Sequence, residues 1–302
     1  MSTFDGHIRE FPDIQVDYFR TTQASSSRRP LACFLSHVHS DHLVGLDTLH
    51  APFVFCSAAT RALVLRLEKT SCQINYAKGI LEARKQTYKR LKHLLKPLPL
   101  ETPTALELSP GHRIQVTLFD ANHCPGSSPA PKVFEDDEKA ALYTGDTRLE
   151  PWFVNALVSH PCLAEYAAGL RTLDTIYLDT TFLEPDVVFE TKAEGLRQLL
   201  QAVASYPPDT VFHLRAWTFG YEQVWTALSK ALRSKIHVDE YKLRLYKSLS
   251  AGATQTTDGP GLSDARLTLD PVAPSLVGFS CANTFHEGCL TTKEAHTGHT
   301  GL

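Results

Sequence analysis

Seven consecutive residues, Ser36-His37-Val38-His39-Ser40-Asp41-His42, constrain this chain more than any other stretch. They follow the apolar run Ala32-Cys-Phe-Leu35, which reads as a buried strand leading into a polar loop. Three imidazoles and a carboxylate therefore stand at a strand end. Imidazole nitrogen and carboxylate oxygen are the atoms that hold Zn²⁺ at about 2.0–2.2 Å. Alternation in an extended segment puts His37 and His39 on one side, able to chelate one ion. The turn that follows aims Asp41 and His42 at a neighbouring position. Four ligands are too many for one catalytic ion that must keep a place open for water, and they suit two ions sharing a bridging group.

Two further segments fit that centre. Asn122-His123-Cys124-Pro125-Gly126 follows the alternating run Arg113–Phe119, so His123 stands at another strand end and completes a three-histidine set. Tyr143-Thr-Gly-Asp146 follows the run Ala140–Tyr143 and offers Asp146 as the bridging carboxylate.

Composition narrows the class. The chain has 302 residues, 43% hydrophobic and 21% charged, enough for one large domain or two modest ones. No apolar run approaches the ~20 residues that cross a bilayer. The N-terminus lacks the basic and apolar regions of a secretory signal. Seven cysteines without a CxxC pair point to a reducing compartment. A net charge of -3 excludes a polycation that grips nucleic acid all over its surface.

Strands are expected at Phe53–Cys56 and Thr175–Leu178, with a helix over Ala58–Leu67 capped by Ser57. Farther on, Thr191 and Glu194 form a capping box, and Leu196, Leu199, Leu200 and Val203 make one apolar helix face. A strand at Thr210–Leu214, a helix over Tyr221–Leu232 and a strand at Lys235–Val238 then suggest a parallel α/β unit. Residues 250–264 read as a loop rich in Gly, Thr, Asp and Pro.

In order along the chain, HVHSDH, ANHCPG, LYTGDTR and IYLDTTF, with Asp13-Ile-Gln-Val-Asp17 before them, resemble the metallo-β-lactamase/β-CASP DNA repair nuclease family, of the Artemis and DNA cross-link repair type. The likeness covers essentially residues 4 to 292. It implies an α/β chain: a metallo-β-lactamase αββα sandwich over 1–188, lacking its C-terminal return, and a partial β-CASP α/β insert over 189–302. It implies that His37, His39 and His123 hold one Zn²⁺, Asp41 and His42 a second position, and Asp146 both. Asp17 and Asp179 match acidic residues of the same site, catalytic beside Asp41. Gly220-Tyr221-Glu222 at the head of a helix matches the insert, in a role of fold maintenance.

The chain departs from the pattern twice. It ends inside the insert, which reads as a truncated version of a longer chain, one ligand short at the second metal; the tail residues His296 and His299 are not assigned as ligands. Where the family has an apolar strand after HCPG, residues 127–138 bring two prolines, four acids and little alternation, which argues against a central strand.

The implied activity is a metal-dependent DNA nuclease, 5′-3′ exonuclease or structure-specific endonuclease, in double-strand break and interstrand cross-link repair. Its cofactor would be one or two Zn²⁺ ions. Its partners would be DNA as single-stranded, hairpin or cross-linked ends, with end-joining proteins, and no membrane; its place would be the nucleus. The alternatives are a non-catalytic fragment of such a nuclease or another hydrolase of the fold, RNA-processing or thioesterase. The basic run Arg84 to Lys96 offers phosphate contacts, with Lys85, Lys89 and Lys92 spaced to share one helical face.

Overall fold

The structure, a computed structural model, describes residues 4–20, 29–75, 80–124, 131–182, 186, 188–214, 219–250 and 276–279. The chain divides into two units, Met1–Thr181 and Phe182–Leu302.

The first unit holds two sheets. One is wholly parallel, in the order β1 (Ile14–Val16), β2 (Ala32–Phe34), β3 (Phe53–Cys56), then β6 (Leu95–Pro97). The other runs β11 (Thr175–Tyr177), β10 (Ala140–Tyr143), β9 (Lys132–Glu135), β8 (His112–Leu118), β7 (Thr104–Ser109). A hairpin of β4 (Glu68–Asn75) and β5 (Ile80–Thr87) stands apart. Ile14, Val16 and Phe34 of the first sheet and Ile114, Val116, Phe134 and Tyr143 of the second share one core. That is sheet-on-sheet packing, with a shared side that is apolar apart from the buried Lys132 of β9. Ser57 caps α1 (Ala58–Val64), its side chain accepting the Thr60 N–H at 2.9 Å. Helices α2 (Pro151–Val158) and α3 (Pro161–Ala167) each open with proline in the first turn, where no N–H is missed.

The topology explains why the candidate ligands meet. β8 and β10 are each antiparallel to β9, so they run the same way, and β11 is parallel to β10. The segments after β8, β10 and β11 therefore leave one edge of their sheet. Those after β1 and β2 leave one edge of the other. His123 and Asp146, and likewise Asp17 and the His37 segment, are edge neighbours though far apart in sequence.

The expectation of no central strand after HCPG is overturned. β9 lies at the centre of its sheet and all four of its residues are buried. Pro131 precedes the strand, and its carbonyl accepts the Phe119 N–H at 2.9 Å. Three of the acids lie in the turn after it, where Asp136 accepts the N–H groups of Glu138 and Lys139. The fourth, Glu135, is buried and compensated: Arg171 reaches it at 2.8 Å, Gln115 at 3.0 Å, and the Tyr166 hydroxyl also donates to it. A buried strand end thus tolerates an acid when both of its carboxylate oxygens accept hydrogen bonds. Pro129 lies outside the described residues.

The helical face for the lysines is also corrected. Lys85 is in β5, and Lys89 to His93 form a short 3-10 helix. The hairpin interrupts any longer helix, since Glu68 on β4 sits opposite Thr87 and its carboxylate binds the Lys85 ammonium at 2.6 Å. Arg90 is spent on carbonyls of the β2–β3 connection, at Leu46, Asp47 and Leu49.

In the second unit, α4 (Lys192–Ala204) starts at Thr191, whose hydroxyl accepts the Glu194 N–H at 3.1 Å. Glu194 itself turns to Arg197 rather than back to the cap, so the box is half made. α5 (Glu222–Ala231) and α6 (Glu240–Ser250) bury Trp225, Leu228, Leu245 and Tyr246. Glu222 is buried and accepts from the Tyr246 hydroxyl at 2.5 Å and the Gly220 N–H at 2.9 Å. Thr210–Leu214 is not a strand. The parallel pair is β12 (Ile236–Asp239) with β13 (Leu276–Phe279), so the crossover follows β12 and begins with α6. Residues 251–264 lie outside the described residues.

Candidate metal centre

Four side chains of the first unit converge. His37, His39, His123 and Asp146 each offer a ligand atom, and these atoms all lie within 4.8 Å of one another. The His37 Nε2 stands 2.9 Å from His39 Nδ1, and His123 Nε2 stands 3.3 Å from the same atom. Asp146 Oδ2 is 3.6 Å from both His37 Nε2 and His123 Nε2. In a tetrahedral site with bonds near 2.05 Å the ligand atoms stand about 3.3 Å apart. Ring nitrogens at that spacing share protons in hydrogen bonds when no cation is bound, and the same atoms beside a carboxylate oxygen can turn to one divalent ion. The donor set fits a divalent cation in chemistry and in spacing.

The local structure holds these side chains in place. A ligating His37 carries its proton on Nδ1, and Ser36 Oγ stands 2.9 Å away to accept it. Burial, followed by the neighbouring His42 and His39, pushes the His37 imidazolium pKa well down, so Nε2 keeps its lone pair at neutral pH. The His123 loop is tied to the segment after Asp146. The Arg148 N–H and the Thr147 hydroxyl both donate to the Ala121 carbonyl at 3.1 Å, and the Asn122 amide donates to the Arg148 carbonyl at 3.2 Å. The end of the HVHSDH turn is pinned by Gly45. Its φ is +84°, and a Cβ there would meet the Arg20 nitrogen at 2.6 Å.

Asp146 turns its other oxygen, Oδ1, to His42 Nε2 at 3.2 Å. Asp41 Oδ2 lies 3.7 Å from the same ring nitrogen. Asp146 thus presents one oxygen to the three-histidine group and one to a second pair, His42 and Asp41. Burial opposes its charge, but His42, His37 and His123 together hold its carboxyl down at about 2.

Asp17, which the family resemblance assigns to the site, lies behind His42. It is buried, with a backbone φ of +58°, and accepts the Ser36 N–H at 2.6 Å and the Tyr143 hydroxyl at 2.9 Å. Its Oδ2 is 3.2 Å from His42 Nδ1, on the side of the ring away from Asp146. Burial works against its ionisation, and Lys132, then His42 and the hydrogen bonds, overcome it to hold the carboxyl far below the usual range. His42 responds in the opposite sense. Burial disfavours its charge, yet Asp17 and Asp146 raise it to about 10. Asp179 is held at the same sheet edge by its N–H, which donates to Thr144 Oγ1 at 3.0 Å. Its Oδ1 accepts from Thr181 N–H at 2.9 Å and Thr181 Oγ1 at 2.6 Å, which makes it a turn cap outside the converging group.

Ser36, Tyr143 and Lys132 were not singled out from the sequence. Ser36 adjoins His37, and Tyr143 opens the YTGD segment, so both had a signal by position. Lys132 had none, because a lysine after a proline-rich stretch reads as loop. It is wholly buried, its Nζ 4.8 Å from the centre of the Tyr143 ring. Burial lowers its pKa to about 8, with Asp17 and Cys56 countering, so it is mainly a cation at neutral pH.

A sandwich whose strand ends gather three histidines and a shared aspartate in this way defines the metallo-β-lactamase class. Within it, the chain is 31% identical to Protein artemis of Rattus norvegicus over 272 residues, which is 82% of this chain and 34% of that protein. It is 30% identical to Protein artemis of Homo sapiens over 269 residues, and 28% identical to 5′ exonuclease Apollo of Mus musculus over 285 residues, 94% of this chain and 44% of that protein. Residues 22–166 match the family described as Anti-Pycsar protein Apyc1. The chain belongs to the metallo-β-lactamase/β-CASP family, in the branch of the artemis and Apollo proteins. It spans about a third of the length of the artemis relatives it matches.

Proposed function

We propose that this chain is a metal-dependent DNA nuclease, acting as a 5′-3′ exonuclease or a structure-specific endonuclease in the repair of double-strand breaks and interstrand cross-links. The observation that carries the reading is the pair of faces on Asp146, one toward His37, His39 and His123, the other toward His42 and Asp41. The kinship with artemis and Apollo supports DNA as the substrate and the nucleus as the place of action. No described helix is long and apolar enough to cross a membrane.

His37, His39 and His123 would hold one cation, His42 and Asp41 the second, with Asp146 shared between them; zinc suits this nitrogen-rich donor set. Bound there, the cations supply charge to a phosphodiester oxygen and a water acidic enough to attack at neutral pH. The protein's own part is to fix the ligands before substrate arrives. Ser36 sets the His37 ring, Asp17 sets the His42 ring, and the ties at Ala121 and Arg148 set His123 against Asp146. Asp41, which is largely solvent-exposed at the rim, is the group placed to accept a proton from an attacking water. Asp179 and Asp17 act at a distance from the substrate, by holding the sheet edge and the His42 ring. Partners of the end-joining machinery belong to the same reading, as does a division of the chain into a sandwich over 1–188 and part of a β-CASP insert over 189–302.

The direct test incubates the zinc-loaded chain with 5′-phosphorylated single strands and with DNA hairpins, beside a thioester. DNA cleavage that is abolished by a chelator and restored by zinc is expected. Thioester hydrolysis without DNA cleavage would refute the nuclease reading in favour of another hydrolase.

Lys89 and Lys92 share one face of their 3-10 helix, where residues three apart eclipse. That helix enters β6 at its start, so it lies at the opposite edge of the parallel sheet from Asp17 and the His37 segment. We expect these lysines, with Lys85, to touch DNA only away from the cut. Replacing Lys89 and Lys92 with glutamine should lower the salt slope of DNA binding by about 2. Cleavage at saturating DNA should be unchanged. A slope equal to that of the unaltered chain rejects the contact.

A further inference from the structure

We propose that Lys132 is a positioning residue for the second cation: its buried ammonium balances the Asp17 carboxylate, which in turn holds the His42 ring in its ligating orientation. The inference rests on the metal-centre reading above.

The path is continuous in the fold. Lys132 and Tyr143 are partners across β9 and β10. The Lys132 Nζ lies against the Tyr143 ring, the Tyr143 hydroxyl donates to Asp17 Oδ2 at 2.9 Å, and Asp17 Oδ2 stands 3.2 Å from His42 Nδ1. The far side of that ring, Nε2, faces Asp146 Oδ1. Nothing local asks for a cation at position 132. Its successors on the strand, Val133 and Phe134, are buried apolar residues, and Lys132 Nζ has no hydrogen-bond partner among the described residues. An ammonium in such a place costs stability, and an apolar residue of the same length would fill the space without that cost.

The charge has a use on the other side of Tyr143. Asp17 is buried and needs compensation. Lys132 remains as the protein's own counter-charge. With it present, Asp17 stays an acceptor for the His42 Nδ1 proton and the ring keeps Nε2 toward Asp146. Without it, the buried carboxylate keeps the Ser36 N–H and the Tyr143 hydroxyl but no counter-charge of the protein's own beyond the ring, and the hold of Asp17 on His42 Nδ1, which also has Ser36 Oγ at 3.3 Å, is weakened.

Cation titration of the full chain with zinc, followed calorimetrically, reads this directly. Lys132→Met should leave the first equivalent at its original affinity and weaken the second by about 10- to 100-fold, the range for loss of a ligand's supporting partner. The far-ultraviolet spectrum of Lys132→Met at the titration temperature should match that of the unaltered chain, so that the change in affinity is read on folded protein. In an Asp17→Asn background the same change should have no further effect on the second equivalent, because the path has already been cut. Lys132→Gln serves as a second variant if Met perturbs the fold. Two equivalents of unchanged affinity, or an equal weakening of both, overturns the inference and leaves the metal centre standing. No uptake of zinc by the unaltered chain overturns the metal centre and the inference together.

Discussion

Asp146→Asn should reduce DNA cleavage by at least 1,000-fold in kcat/KM, about 4 kcal/mol of transition-state stabilisation. The substitution keeps the shape of the side chain and removes its charge. It also replaces one oxygen by an amide nitrogen. Whichever way the amide turns, a donor faces either the His37 and His123 nitrogens or the His42 ring, each of which now lies within 3.6 Å of an Asp146 oxygen. The shared ligand is lost from one position and weakened in the other. Metal content should fall from two equivalents to one or fewer, while the far-ultraviolet spectrum stays that of the unaltered chain, since Asp146 lies on a loop after β10 and outside the core. Activity within tenfold of the original would show that Asp146 does not join the two halves of the site.

Affinity for the second cation should rise steeply with pH. Burial opposes the charge on His42, but Asp17 and Asp146 raise its pKa to about 10. A cation needs the neutral ring, so below pH 10 each binding event at this position expels one proton. Apparent affinity should therefore increase about tenfold per pH unit, or ~100-fold between pH 6 and 8. The sign for stability is opposite. A histidine whose pKa is raised in the folded state stabilises the fold fully below its unfolded value near 6.5, and loses that contribution as pH rises through about 10. Metal-free protein should thus weaken over the interval in which metal uptake strengthens. Calorimetry in buffers of different ionisation enthalpy measures the released proton. A pH-independent affinity with no proton release would contradict the placement of His42 as a ligand. His37 should contribute no such dependence above neutrality, because burial already keeps it neutral there.

What could be read from the sequence was whatever is local. HVHSDH keeps its candidate ligands within one turn, so the strand before it and the spacing inside it were enough to point to His37, His39 and His42. His123 and Asp146 were legible because each follows an alternating or apolar run that becomes a strand, β8 and β10. The capping of α1 by Ser57 and of α4 by Thr191 is local in the same sense. Longer-range determinants were hidden. β9 was missed because its evidence lies in its neighbours: β8 and β10 supply the hydrogen bonds, and Arg171, 36 residues away, supplies the charge for Glu135. The run with Lys85, Lys89 and Lys92 has helical spacing, yet its chain reverses into a hairpin, where pairing with β4 outweighs propensity. Asp17 matched an acid of the site, and only the fold shows it on the reverse side of His42, joined to Tyr143 from a different sheet.

The cross-ties between the β8 and β10 loops have a consequence for ion binding. Ala121, Asn122, Thr147 and Arg148 lace two segments, 26 residues apart, into one piece. The cup that His123 and Asp146 share is thus assembled as the polypeptide folds, and its ordering entropy is spent at that moment. An arriving ion finds walls already standing, so little of its binding free energy is spent on ordering them.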